Sequence, residues 1–247
     1  MAKNQAPIME AHRLHHPGLT ASPDQTAAEI SRCALASLHA SAALFYWIEN
    51  GEKMADVSLA GISTGFYRSY ASEMEPVDPS NILRMTAARA KLTQLRQAGH
   101  PLPDDADRYT QLLRRFQVTD VIDLMFWADG IPLAGIGILK RQGDPPTSDT
   151  TLAVAGAMQR YMEFNLQHHT RFAQARRNRA LRQIFGLTSR EIAVAECILQ
   201  GQTNADIAKT MNIRLATVKS HLMQIFGKTN CGNRTKLAAI LNAAATA

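Results

Sequence analysis

Residues 187–242, LTSREIAVAECILQGQTNADIAKTMNIRLATVKSHLMQIFGKTNCGNRTKLAAILN, constrain the fold more than any other part of the chain. Apolar residues recur there at helical spacing, and helix-end signals interrupt them at short intervals. Thr188-Ser-Arg-Glu191 reads as a capping box, in which the hydroxyl and the carboxylate each accept a backbone N–H of the first turn. Ile192, Ala195 and Leu199 follow on one face, and Gly201 stops the helix. Thr203-Asn204-Ala-Asp206 caps a second, short helix through Met211, with Ile207 and Ala208 inward. A third helix runs from Leu215 to about Lys228 on an inner face of Val218, Leu222, Ile225 and Phe226. A fourth, Arg234–Asn242, carries Leu237, Ile240 and Leu241. A short helix, a tight turn and a longer helix form the arrangement that lets the longer one enter the major groove of DNA.

The outer face of the third helix carries Thr217, Lys219, Ser220, Met223 and Lys228. A lysine reaches guanine acceptors or phosphate, and a serine reaches either kind of base edge. The helix starts at Thr203 and near Arg214 offer free N–H groups to phosphates. Charge agrees with this. Residues 171–247 hold 12 Lys/Arg against 3 Asp/Glu, a balance of +9, whereas residues 1–170 hold 15 against 18, a balance of −3. A basic third on a slightly acidic body is the footprint of a nucleic-acid module joined to something else.

The segment resembles the LuxR/NarL-type helix-turn-helix family throughout its length. The resemblance rests on Leu187-Thr188-x-Arg190-Glu191, Gly201-x-Thr203-Asn204-x-x-Ile207-Ala208, Ile213, Thr217-Val218-Lys219-x-His221-Leu222, Ile225, Lys228 and Arg234-Thr235. It implies a DNA-binding transcriptional regulator acting as a homodimer on double-stranded DNA with a two-fold operator. It places Lys219 and Ser220 at the major groove, with Thr217 and Val218 packing or touching the backbone. It puts Thr203, Asn204, Lys228 and Arg234 near phosphates, and Leu237, Ile240 and Leu241 of the last helix at the dimer interface. Arg214 stands where the family has Ser or Thr, as an alternative phosphate contact, and Met223 stands where some relatives carry a polar base reader. RNA polymerase is a further expected partner.

The N-terminal part reads as helix, hairpin, helices, hairpin, long helix. The first hairpin pairs Ala42–Glu49 with Met54–Ile62 across Asn50-Gly51, and the second pairs Val121–Ala128 with Ile131–Lys140 across Asp129-Gly130. Hairpins make antiparallel sheet, so this part is α+β, PAS/GAF-like, and the all-α module follows it. Ser22-Pro23 starts the first helix. Further helices are expected over Thr64–Met74, Asn81–Ala98 (Ser80 as cap, Gly99 as stop) and Asp104–Phe116. A long one runs from Asp149 to about Phe185. Along it Ala155, Met158, Met162, Asn165, His169 and Phe172 form a seam at alternating spacings of three and four. That seam either joins two copies, with Met158 and Met162 as contacts, or covers the sheet.

The expected division is a flexible tail over 1–22, an α+β sensory domain over 23–170, a linker helix end over 171–184 and the helix-turn-helix over 185–247. Trp47, Tyr67, Tyr70, Asp78 and Trp127 are the candidate contacts for a small-molecule signal. Aromatic strand residues can line a pocket by alternation. Phe66, Tyr67, Tyr70 and Asp78-Pro79 are similar to the segment that reads acyl-homoserine lactones in quorum-sensing members, with Phe66 in place of the expected Trp. That leaves a lactone receptor as one alternative and a protein-interaction adaptor as another. No catalytic residues, metal or cofactor are expected. The sequence carries no nucleophile elbow, no HExxH and no GxGxxG, and Gly227-Lys228-Thr229 lacks the second glycine of a phosphate loop. His12, His15 and His16 read as a loose tail. The 3 cysteines are scattered without a CxxC pair, as in a reduced cytoplasmic protein. Apolar runs are too short to span a bilayer, and Met1–Thr20 has no signal-peptide core.

Overall fold

The computed structural model describes residues 24–49, 51–95 and 104–243, the side chains of 104–107 excepted. The expected tail with its histidines, Asn50 of the first turn and Gly99 lie outside them. The chain forms two compact units, divided between Leu166 and Gln167.

In the first unit, helix α1 (Gln25–Leu38) starts at Asp24, whose carboxylate accepts the N–H groups of Thr26 and Ala27. Asp24 thus takes the capping role expected of Ser22. Strands β1 (Ala42–Glu49) and β2 (Lys53–Ala60) form the first hairpin. Helix α2 (Thr64–Ser69) widens into a π turn at Tyr70–Met74 and tightens into a 3-10 turn at Glu75–Val77. Helix α3 (Ile82–Ala87) is capped by Asn81, not Ser80, and stops where Arg89 takes φ 51°. The expected helix to Ala98 therefore ends early. Strand β3 (Leu92–Gln94) follows it and pairs with Ile122–Leu124.

Helix α4 (Asp104–Arg114) leads to the second hairpin, β4 (Val118–Ala128) and β5 (Ile131–Arg141). Asp129 and Gly130 turn it with φ 50° and 78°, the two positive values a type I′ turn demands. Together the strands make one antiparallel sheet of order β2-β1-β5-β4-β3. The expected class, α+β with an antiparallel sheet and helices, is the one present.

Strand alternation decides what each sheet face carries. Leu44, Tyr46 and Ile48 point to the face under α2 and α3, in a core with Val57, Tyr67, Ile82, Met85 and Met125. Phe45 and Trp47 point the other way, ring edge against ring face at 5.4 Å, and the Trp47 indole donates to Asp24 at 2.7 Å. That second face is covered by α1 and by α5 (Asp149–Leu166). Helix α5 buries Ala155, Gln159, Met162 and Leu166. Gln159 donates to the Met125 carbonyl at 2.9 Å, and Glu163 accepts the Trp127 N–H at 2.8 Å. The buried Lys140 Nζ donates to the carbonyls of Leu38 and His39, closing the end of α1.

The second unit opens with α6 (Thr170–Phe185). The long helix expected from Asp149 is thus two helices. His169 breaks it, extended at ψ 142°, with its ring accepting the Arg171 N–H. Helices α7 (Ser189–Leu199), α8 (Asn204–Thr210), α9 (Leu215–Thr229) and α10 (Arg234–Ala243) follow. Their inward residues, among them Ile192, Val194, Ile207, Val218, Leu222, Ile225, Leu237 and Leu241, share one core with Leu181. Among the described residues no helix is long and apolar enough to cross a membrane.

Candidate nucleic-acid interface and signal cavity

In the second unit, both capping boxes form. The Thr188 hydroxyl accepts the Glu191 N–H while Glu191 accepts the Thr188 N–H at 2.6 Å, and Thr203 and Asp206 repeat the exchange. These local bonds fix where α7 and α8 begin. Helix α9 hides Val218, Leu222 and Ile225 and leaves Thr217, Lys219, Ser220 and Met223 exposed, Met223 at 74%. Arg214 occupies its N-cap without a side-chain cap bond and is itself exposed. Val218, expected to pack or touch the backbone, is fully buried.

Four other candidates are engaged within the unit. Lys228 Nζ donates to Glu191 at 2.7 Å and to the Gly186 carbonyl at 3.0 Å. Burial works to raise the Glu191 carboxyl, but the hydrogen bonds from Lys228 and Thr188 prevail and hold it below the usual carboxylate range. Arg234 donates to the Gln202 carbonyl and, at 3.4 Å, to Asn204 Oδ1, so Thr203, Asn204 and Arg234 meet at the start of α8. Leu237 and Leu241 are wholly inside the core and have no surface for a second copy; of the three expected contacts on the last helix, Ile240 alone keeps some. On α5 of the first unit, Met162 is buried against the sheet and Met158 is half-buried. The exposed large hydrophobic residues of that helix are Val154, Tyr161 and Phe164.

In the first unit, a small cavity of about 30 Å³ opens under the sheet. Its polar wall is Tyr46 (β1), Tyr70 (the π turn), Asp78 and Ser80 (ahead of α3), Tyr109 (α4) and Asp123 (β4). Leu44, Met54, Phe66 and Leu139 are among its apolar residues. The Tyr70 hydroxyl donates to Asp78 Oδ2 at 2.8 Å and the Ser80 N–H to Oδ1 at 2.8 Å. Burial raises the Asp78 carboxyl to about 6 against the lowering pull of Ser80, Tyr70, Tyr109 and Arg84. Burial, then the charge of Asp78, also raises Asp123 well above its ordinary value, and the Ser80 hydroxyl opposes them. The tyrosines 46, 70 and 109 are raised as well, first by burial and then by the carboxylates.

Of the expected ligand contacts, Tyr70 and Asp78 meet at this cavity. Trp47 lies across the sheet from it. Trp127 shares the cavity's face but sits further along β4, its indole donating to the Ala90 carbonyl at 3.2 Å, and Tyr67 packs beside it in the core outside the lining. Sequence reasoning gave no ligand role to Ser80, expected only as a helix cap, or to Tyr109 or Asp123. The signal for Asp123 was present: a lone acid at an inward-facing position of the apolar strand VIDLMFWA.

A compact four-helix core that buries one side of α9 and leaves a polar, basic side open defines a helix-turn-helix DNA-binding domain. Residues 186–241 match the family described as bacterial regulatory proteins, luxR family, so this is a LuxR-family domain. Beyond it, the chain is 27% identical over 202 residues to the monoamine regulon transcriptional regulator of Klebsiella aerogenes, covering 80% of this chain and 82% of that protein. Among solved structures it is similar to Escherichia coli SdiA (TM-score 0.44, 16% identity, 90% of each chain). It is also similar to a GAF domain/HD domain protein from Geobacter sulfurreducens (TM-score 0.43, 14% identity, 60% of this chain and 95% of that one).

Proposed function

We propose that the protein is a cytoplasmic, dimeric transcriptional regulator that reads a two-fold operator through α9 and is modulated by a small molecule held in the first unit. The observation that carries this is the exposed Thr217, Lys219, Ser220 and Met223 on a helix whose opposite face is locked in the core. The +9 balance of residues 171–247 supports it, because phosphate neutralisation supplies most of the affinity for DNA. Val154, Tyr161 and Phe164 lie along the outer side of α5 at spacings of seven and three, which supports a second copy of the chain as partner. RNA polymerase is the natural further partner of an activator.

Fluorescence anisotropy with operator DNA tests the reading. Affinity should fall steeply with salt, with two chains per site. Lys219→Ala should lose roughly 5- to 150-fold in specific binding while circular dichroism and melting stay unchanged. A folded Lys219→Ala protein with normal operator affinity removes α9 as the reader, and salt-insensitive association without DNA favours an adaptor. Tyr70 and Asp78 side by side at the cavity support a second reading, a receptor for acyl-homoserine lactones. A rise in melting temperature graded with acyl length would favour it.

A further inference from the structure

The cavity wall holds two carboxylates and three tyrosines and no Lys, Arg or His. Asp78, 4% exposed, is already held by three donors, the Ser80 N–H and the Tyr70 and Tyr109 hydroxyls. Asp123 has the Ser80 hydroxyl as its side-chain donor, and Ser80 in turn accepts from Thr93 at 2.9 Å. A second feature is independent of the acids. The Tyr46 side chain is 3% exposed and lines the cavity. Its ring tip lies over Gly135, where any Cβ would stand 2.4 Å from the hydroxyl oxygen. A buried phenol in the lining places a hydroxyl that can donate and accept beside a guest.

Two carboxyls, Asp78 buried and Asp123 half-buried, are costly as charges where the one cation that acts on Asp78, Arg84, lies outside the lining. A neutral guest leaves that cost in place. A guest that brings one positive charge and several N–H donors removes it, and tyrosine faces add cation–π attraction. Size points the same way. At about 30 Å³, the space suits a compact head group and falls far short of the roughly 300–1,000 Å³ of pockets that enclose drug-sized ligands. A short apolar body behind the head group would meet Leu44, Phe66 and Leu139, with the half-buried, flexible Met54 giving way.

We infer that the first unit binds a small primary amine, its ammonium group seated against Asp123 and Asp78 and its apolar body against Leu44, Phe66 and Met54. This rests on the proposal that the first unit receives the signal, and it names the chemical class of that signal.

The test uses full-length protein at pH 7.5, with thermal shift and isothermal titration calorimetry. The probes are 2-phenylethylamine and n-butylamine, their matched alcohols 2-phenylethanol and 1-butanol, and N-hexanoyl-homoserine lactone. At least one amine should raise the melting temperature and bind at least about tenfold tighter than its alcohol. Asp123→Asn should lose at least about tenfold for that amine while melting cooperatively. Failure of both amines to bind at about 1 mM, equal binding of amine and alcohol, a response to the lactone alone, or a folded Asp123→Asn protein with undiminished amine affinity each overturns the inference. If Asp123→Asn does not fold, the amine-to-alcohol comparison on the unaltered protein decides. Operator binding is measured on the same preparations. Amine binding without DNA binding removes the regulator reading alone, and DNA binding without amine binding removes this inference alone.

Discussion

The two units treat buried acids in opposite ways. In the second, Glu191 is almost wholly buried with Lys228 at 2.7 Å, and Arg177 meets Glu196 through its Nε and Nη2 at 2.7–3.1 Å. In the first, Asp78 and Asp123 face a cavity whose lining holds no basic side chain. The second unit settles its charges within its own fold and keeps its functional groups outside, on α9. The first unit stores an electrostatic cost inside, where a bound molecule can relieve it. A module that recognises a charged polymer and a module that recognises a small cation need these opposite designs.

The largest expected effect that sharpens this contrast is a pH dependence. Asp78 has a folded value of about 6 against an ordinary 3.8, so the folded state holds a proton that the unfolded chain has released over that interval. Stability of the first unit should therefore be greatest below about pH 4 as far as this group is concerned. It should fall as pH rises to about 6–7, by roughly 3 kcal/mol. Denaturant melts across that range measure it, and Asp78→Asn should flatten the slope. A rise in the first unit's stability over the same interval, with no change in Asp78→Asn, breaks the contrast.

Next in size is Lys228→Met, which leaves Glu191 a buried carboxylate without its own cation. The loss should be about 2 kcal/mol, below the 3–5 of a fully buried pair because Lys228 is 35% exposed. A melt at neutral pH reads it, and acidification should return part of the loss by protonating Glu191. A neutral effect would mean that the Thr188 bonds alone satisfy Glu191. Smaller still, Gly135→Ala should cost about 1–2 kcal/mol by pushing the Tyr46 ring aside. It should also shift near-ultraviolet dichroism, whereas an alanine that leaves both unchanged shows that Tyr46 moves freely.

The same contrast governs what could be read from the sequence. All four helices of the LuxR-family domain were legible within a residue or so, because hydroxyl caps, apolar spacing and stop residues act within one or two turns. Both hairpins around the Gly-containing turns were legible for the same reason. β3 was not. Its three residues are a strand only because β4 lies beside them, and local propensity read them as helix. The break at His169 was missed because histidine is not among the usual capping residues, although here its ring accepts the first free N–H. At the cavity, Tyr70 and Asp78 were legible from their own segment. Asp123 and Tyr109 arrive from β4 and α4, far along the chain, and their meeting is a property of the sheet. Strand parity would have separated Tyr46 from Trp47, since neighbours on one strand face opposite ways.

Gly135 and Tyr46 sit directly opposite each other on β5 and β1. The ring occupies the volume that a side chain at 135 would need, so neither position can drift alone. A residue at 135 much larger than alanine needs a smaller residue at 46, and a smaller residue at 46 opens the wall of the cavity. The two positions should therefore change together. Descendants of this chain that keep tyrosine and glycine at these places should keep the same guest, and those that exchange them should do so together and change what they sense.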